Sequence, residues 1–175
     1  MKNNHPIGIF DSGIGGLAIV RCLAKIMPTQ PIIYFADKAN FPYGNKSPVE
    51  IRKLALINAK MLIAQKVKLI IIACNTATVI AIDHLRKKFP SVIFIGTEPA
   101  VKPAAIACTK AMIILSSPKT AGSKQLHQLI NNYAKNIKVF NIGNLQLVKA
   151  VEEQWPPDKI NILLEKITNS GPGAI

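Results

Sequence analysis

Short apolar runs alternate along this chain with longer segments of helical periodicity. Residues 7–10, 32–35, 69–73, 92–95, 112–115 and 139–142 are short runs of mainly aliphatic and aromatic side chains and predict six β-strands. The segments between them, about 10 to 20 residues each, place apolar side chains at helical spacing. Strand alternating with helix argues for an α/β fold with a mainly parallel sheet, because parallel strands need crossover connections. Several runs are apolar at every position, as strands covered on both faces would be. The best-marked helix opens at Pro48. Ser47-Pro48-Val49-Glu50 is a capping box with proline at the first helical position. Ile51, Leu54, Ala55 and Leu62 then share one face, which Asn58 interrupts.

The pattern breaks at Gly96-Thr97-Glu98-Pro99-Ala100-Val101-Lys102-Pro103. This predicts two lobes, residues 1–98 and 99–175, each an open, mainly parallel sheet flanked by helices. At the far end, Asn169-Ser170-Gly171-Pro172-Gly173 is loop chemistry, and Ala174-Ile175 reads as the start of another buried strand. The expectation is that the second lobe is incomplete. Strands left out would expose unpaired edges and apolar surface.

Composition adds limits. Apolar residues are 49% of the 175, enough for a core, but aromatics are 6%, so aliphatic packing must dominate. The formal charge is +13, from 22 basic and 9 acidic residues. Such a balance suits an anionic partner or a solvated lysine surface. Only Arg21, Arg52 and Arg86 are arginines, and the basic residues are scattered. Arginine is the usual reader of phosphates and bases, so nucleic acid is not the expected partner. Cys22, Cys74 and Cys108 have no CxxC spacing, so neither a disulfide framework nor a zinc site is expected. The opening MKNNHP has no apolar signal core, and the longest aliphatic run, residues 69–73, is too short to span a bilayer. A cytoplasmic protein with reduced thiols and no membrane partner is the expectation.

Candidate chemistry collects after the first three strands: Asp11-Ser12-Gly13, the segment 37–46, and Cys74-Asn75-Thr76. Ligands of open α/β sheets bind at the carboxyl ends of strands, so the three loops should face one crevice. Cys74 sits between strand and helix. A cap at Asn75 or Thr76 would put its thiol at the helix N-terminus, where dipole and amides favour a thiolate able to act as a base. Cys22, beside Leu23 in a predicted helix, reads as core. Asp11 and Ser12 could orient an amino group; Asn75, Thr76 and backbone amides could hold a carboxylate. A second reading competes. Gly13-Ile14-Gly15-Gly16-Leu17-Ala18 fits G-x-G-x-x-G/A, and Asp37 ends the next strand where a ribose-binding acid would stand. That would make a dinucleotide-binding Rossmann-type module. Asp11-Ser12 intervenes between strand and glycines, however, and the reading leaves Cys74-Asn75-Thr76 and Pro42-Tyr43-Gly44 without a role.

These motifs together resemble those of the cofactor-independent glutamate racemases. The likeness runs through Ile7-Gly8-Ile9-Phe10-Asp11-Ser12-Gly13-Ile14-Gly15-Gly16-Leu17, then Tyr34-Phe35-Ala36-Asp37 and Phe41-Pro42-Tyr43-Gly44-Asn45-Lys46-Ser47. It continues through Ile71-Ile72-Ala73-Cys74-Asn75-Thr76-Ala77-Thr78 and the stretch 96–104. It is strong over residues 7–104; beyond them Ser117-Pro118-Lys119-Thr120 and Ser123 match only loosely. The resemblance implies inversion of L- and D-glutamate by two opposed thiols, with no cofactor and no metal, supplying D-glutamate for peptidoglycan. It places Cys74 as the first catalytic thiol and Asp11, Ser12, Tyr43, Gly44, Asn75 and Thr76 as substrate contacts, with a homodimer as the candidate assembly. Aspartate racemases are relatives with similar chemistry. The family's second cysteine lies in a Gly-Cys-Thr-His-Tyr-type motif, and the 175 residues contain none; Cys108-Thr109 is followed by Lys110-Ala111. The expectation is therefore a chain truncated before its second thiol and inactive alone.

Overall fold

The computed structural model describes residues 5–108 and 110–170. The chain divides between Pro99 and Ala100 into two compact units. In the first, β1 (Ile7–Asp11), α1 (Leu17–Ile26), β2 (Ile32–Ala36), α2 (Pro48–Ala64), β3 (Leu69–Ile72), α3 (Asn75–Lys88) and β4 (Ile93–Gly96) alternate in order. The strands form one parallel sheet in the order β2-β1-β3-β4. The chain therefore steps outward from β1 to one side and returns to the other. The ends of β1 and β3 flank that reversal, the position where open α/β sheets leave a crevice.

The core of this unit is aliphatic, as the scarcity of aromatics requires. Phe10, Ile51, Leu62, Ile70, Ile72, Leu85 and Phe94 are buried between the sheet and helices α2 and α3. Gly8 is needed for this packing: a Cβ there would stand 2.9 Å from Val67 Cγ1 and 3.1 Å from Leu62 Cδ1. The Ser47 capping box forms as the sequence predicts, with Ser47 Oγ accepting from the Glu50 N–H and Glu50 Oε2 from the Ser47 N–H.

Cys22 is exposed, which corrects its reading as core. The half-buried face of α1 carries Ile19, Val20 and Leu23. A sequence neighbour on a helix is turned by about 100°, so proximity to Leu23 does not put Cys22 on the same face.

The second unit contains α4 (Val101–Ala107), β5 (Ala111–Ser116), α5 (Pro118–Ala121), α6 (Lys124–Tyr133), β6 (Lys138–Gly143), α7 (Leu145–Glu152) and α8 (Pro157–Ser170). Among the described residues its sheet is the parallel pair β5-β6. Val101, Met112, Ile114, Leu126 and Ala134 form its core. The whole is α/β with parallel sheets flanked by helices, the class the periodicity predicts. The strand expected at Ala174-Ile175 lies outside the described residues. Strand limits differ from the apolar runs by a residue or so. β1 continues into Asp11, for example, because that residue still pairs with Ala36.

Candidate active site

Asp11 and Cys74 stand at the carboxyl ends of the adjacent strands β1 and β3, and both are buried. Backbone bonds fix this end of the sheet. The Ala73 N–H donates to the Phe10 carbonyl at 2.8 Å, and the Asp37 N–H to the Asp11 carbonyl at 2.8 Å. Thr97, which the sequence reading did not single out, closes the other side. Its hydroxyl lies 3.1 Å from the carbonyls of both Ile72 and Ala73, directly ahead of the cysteine.

Cys74 is itself the N-cap of α3, where Asn75 or Thr76 was the expected cap. Its Sγ accepts from the Ala77 N–H at 3.4 Å and lies 3.4 Å from Ser12 Oγ. Cap geometry therefore brings amide and hydroxyl donors to the sulfur, and each pulls its pKa down. Burial and the nearby Asp11 carboxylate push the other way and win, so the thiol sits above its ordinary value. The helix cap favours the thiolate as the sequence reading expects, but burial outweighs it and raises the thiol.

The Asp11 carboxylate folds back over the glycine-rich loop. Oδ1 accepts from the Ser12 N–H and Oδ2 from the Gly16 N–H, both at 2.7 Å. Gly16 permits this: a Cβ there would meet Ala73 Cβ at 2.8 Å and Tyr34 Cε2 at 2.9 Å. A pyrophosphate held in the Rossmann manner would need such amides for itself. Here they hold a protein carboxylate, so the G-x-G-x-x-G/A match is not a dinucleotide loop.

Tyr43 and Gly44 are buried in a short 3-10 turn (Tyr43–Asn45) that packs on α3. Tyr43 is 1% exposed and belongs to the same apolar cluster as Cys74. Its hydroxyl donates to Asp37 Oδ2 at 2.5 Å and accepts from Asn58 Nδ2 at 3.0 Å. Burial and the Asp37 carboxylate push the phenol far above its ordinary range. Asn58 is thus explained: the polar break in the apolar face of α2 is the partner of a buried phenol. Thr76 is buried and Asn75 exposed at the start of α3. The geometry thus joins Asp11, Ser12 and Cys74 directly, with Thr76 and the Tyr43 turn packed around them. Cys108 is half-buried at the end of α4 in the second unit, with its thiol donating to the Ala111 carbonyl at 2.8 Å.

Among the described residues no group of three or more His, Cys, Asp and Glu side chains could hold a metal ion. No helix there is long and apolar enough to cross a membrane.

A parallel α/β sheet with a buried, capped thiol at its switch point is the setting in which the comparisons with known proteins fall. The family model described as Asp/Glu/Hydantoin racemase matches residues 17–169, and the chain belongs to that family. Within it the chain is similar to glutamate racemases. It is 40% identical over 153 residues to the glutamate racemase of Roseiflexus sp. (strain RS-1), covering 87% of this chain and 56% of that protein. It is 42% identical over 151 residues to that of Herpetosiphon aurantiacus, covering 85% and 59%. Among solved structures it superposes on the Francisella tularensis glutamate racemase, crystallised with D-glutamate, with a TM-score of 0.76 and 38% identity, covering 93% of this chain and 61% of that one. The Escherichia coli enzyme, in complex with L-glutamate and the activator UDP-MurNAc-ala, matches with a TM-score of 0.80 and 28% identity, covering 94% and 63%. The chain thus spans less than two thirds of the length of each of these relatives.

Proposed function

We propose that this chain carries the first-thiol half of a glutamate racemase site. Cys74, as thiolate, takes the α-proton of one glutamate enantiomer; the electron pair of the broken C–H bond stays on the α-carbon. Inversion is completed when a second acid delivers a proton to the opposite face. The observation that carries the reading is the buried Cys74 thiol held by Ser12 and Ala77 at the switch point, beside Asp11. An α-proton is a weak acid, so its base must be close, aligned and shielded from water. A thiol kept above its ordinary pKa is the stronger base once ionised.

Asp11 and Ser12 are read as contacts for the amino group, and Asn75 with Thr76 for a carboxylate. The Tyr43 hydroxyl is engaged with Asp37, so any contact from Tyr43 or Gly44 comes from their backbone. The reaction so written requires neither cofactor nor metal. Neither Cys22, exposed on α1, nor Cys108, with Lys110-Ala111 where the family motif has His-Tyr, is read as the second acid, and no Gly-Cys-Thr-His-Tyr-type motif occurs in the 175 residues. The 175 residues alone are therefore expected to exchange an α-proton without inverting the amino acid. With the second thiol supplied, the product would be D-glutamate for peptidoglycan, made in the cytoplasm.

The test is α-proton exchange of L- and D-glutamate in deuterated water, run beside circular dichroism for inversion, with aspartate in parallel. Exchange of one glutamate enantiomer that disappears in Cys74→Ser is the expected result. Net inversion surviving Cys108→Ser would overturn the half-site reading. Faster exchange of aspartate would reassign the substrate.

A further inference from the structure

Asp37 takes no part in the chemistry assigned to Cys74, yet it is buried and engaged at both oxygens. Oδ2 accepts from the Tyr43 hydroxyl at 2.5 Å and Oδ1 from Asn40 Nδ2 at 2.8 Å. Its own N–H donates to the Asp11 carbonyl. From the far side, Asn58 of α2 donates to the same phenol oxygen. The Asp37 backbone thus ties the end of β2 to Asp11 behind it, and its carboxylate ties that end to Tyr43 and Asn40 ahead. Hydrogen bonds to an ionised acceptor are shorter and stronger than neutral ones, and a buried carboxylate left without them is costly. With its hydroxyl so engaged, the Tyr43 side chain has one role left, which is to fix where its own backbone and that of Gly44 lie against α3.

We propose that Asp37 is a positioning residue of the glutamate site, clamping Tyr43 so that the Tyr43-Gly44 backbone is held in place beside the helix that Cys74 caps. The inference rests on the reading of Cys74 given above. Asp37 acts through Tyr43: its two oxygens accept from the Tyr43 hydroxyl and the Asn40 amide.

The test uses the full chain with three variants: Asp37→Asn, Tyr43→Phe, and the reciprocal swap of Asp37→Asn with Asn40→Asp. In Asp37→Asn the new amide nitrogen faces the Asn40 amide nitrogen, setting donor against donor. The swap restores an acceptor at position 40 and leaves the amide oxygen at position 37 for the Tyr43 hydroxyl. Two quantities are read: amide hydrogen exchange of residues 41–46, and protection of Cys74 from iodoacetamide by glutamate. Asp37→Asn is expected to speed exchange in 41–46 and weaken protection, each by about tenfold, as for a lost bond to a charged group. The alkylation rate of unliganded Cys74 should stay unchanged. Tyr43→Phe should reproduce both losses and add nothing to Asp37→Asn, and the swap should reverse them. Unchanged exchange in 41–46 overturns the clamp. So does loosening spread evenly over the first unit, or a loss that the swap fails to repair. If glutamate does not protect wild-type Cys74, the substrate reading fails by itself. The exchange measurement and its rescue by the swap still decide the clamp.

Discussion

At Cys74 two opposing influences meet within one side chain. The cap of α3 supplies an amide and Ser12 a hydroxyl, both favouring thiolate, while burial and Asp11 favour the thiol and prevail. Iodoacetamide alkylation of Cys74 should therefore rise with pH to a midpoint above the ordinary thiol value of about 8.5. Ser12→Ala should move that midpoint higher still, because a donor to the thiolate is lost. A wild-type midpoint at or below the ordinary value would contradict the balance described. The same shift is linked to stability. The folded thiol holds its proton more tightly than the unfolded one, so its contribution is fully present below about pH 8.5 and is lost as pH rises through the folded pKa. Tyr43 acts in the same sense, but its unfolded phenol begins to titrate only near pH 10. Urea midpoints should thus start to fall near pH 8.5 in the wild type and nearer pH 10 in Cys74→Ser. Identical alkaline profiles for the two proteins would remove Cys74 from that account.

At the scale of single elements, local chemistry and close packing can be separated. The capping box of α2 is a local device: Ser47 and Glu50 satisfy each other's amides at the surface. Ser47→Ala should cost about 1 kcal/mol, read as a lower urea midpoint with an unchanged slope. Gly8 is the opposite case, in the middle of β1, where the cost comes from Val67 and Leu62 across the interior. Gly8→Ala should cost about 1–3 kcal/mol, the range for overpacking a filled core. If both substitutions proved neutral, neither the cap nor the close approach would be contributing to stability as described.

For the whole molecule, what matters is surface that parallel sheets ordinarily cover. β4 is an edge strand, and its Ile93 and Ile95 are 61% and 45% exposed. In the second unit, Ile113 and Leu115 of β5 are exposed as well. Parallel sheets are normally buried on both faces, and an open edge with apolar side chains invites pairing. The chain is expected to self-associate as its concentration rises, measured by sedimentation velocity. Ile93→Lys combined with Ile95→Lys should reduce the association. A wild-type monomer that stays monodisperse up to high concentration would argue that these faces are innocuous. The +13 charge does not alter this expectation, because the exposed apolar positions are on the strands themselves.

What the sequence determined by itself is what depends on near neighbours in the chain. Apolar runs bounded by polar loops marked the six strands of the described residues to within a residue or so. Ser47-Pro48-Val49-Glu50 announced the start of α2, and the alternation of elements implied parallel sheets. Those in turn put Asp11 and Cys74 at strand ends, because a parallel sheet aligns its carboxyl termini. Only the tertiary structure decided the rest. Cys22 turned outward because the face of a helix is set by what packs against it. Asn58, a blemish in an apolar stripe, became intelligible only once Tyr43 arrived from another segment with its hydroxyl to satisfy. Asp37 fitted a ribose ligand in the competing dinucleotide reading, but the fold engages its oxygens with Tyr43 and Asn40. The protonation of Cys74 could not be read from its helix cap, since desolvation and the charge of Asp11 depend on everything folded around the sulfur. Strand, helix and cap propensities are set over a few residues. Burial and cross-element hydrogen bonds are properties of the assembled unit.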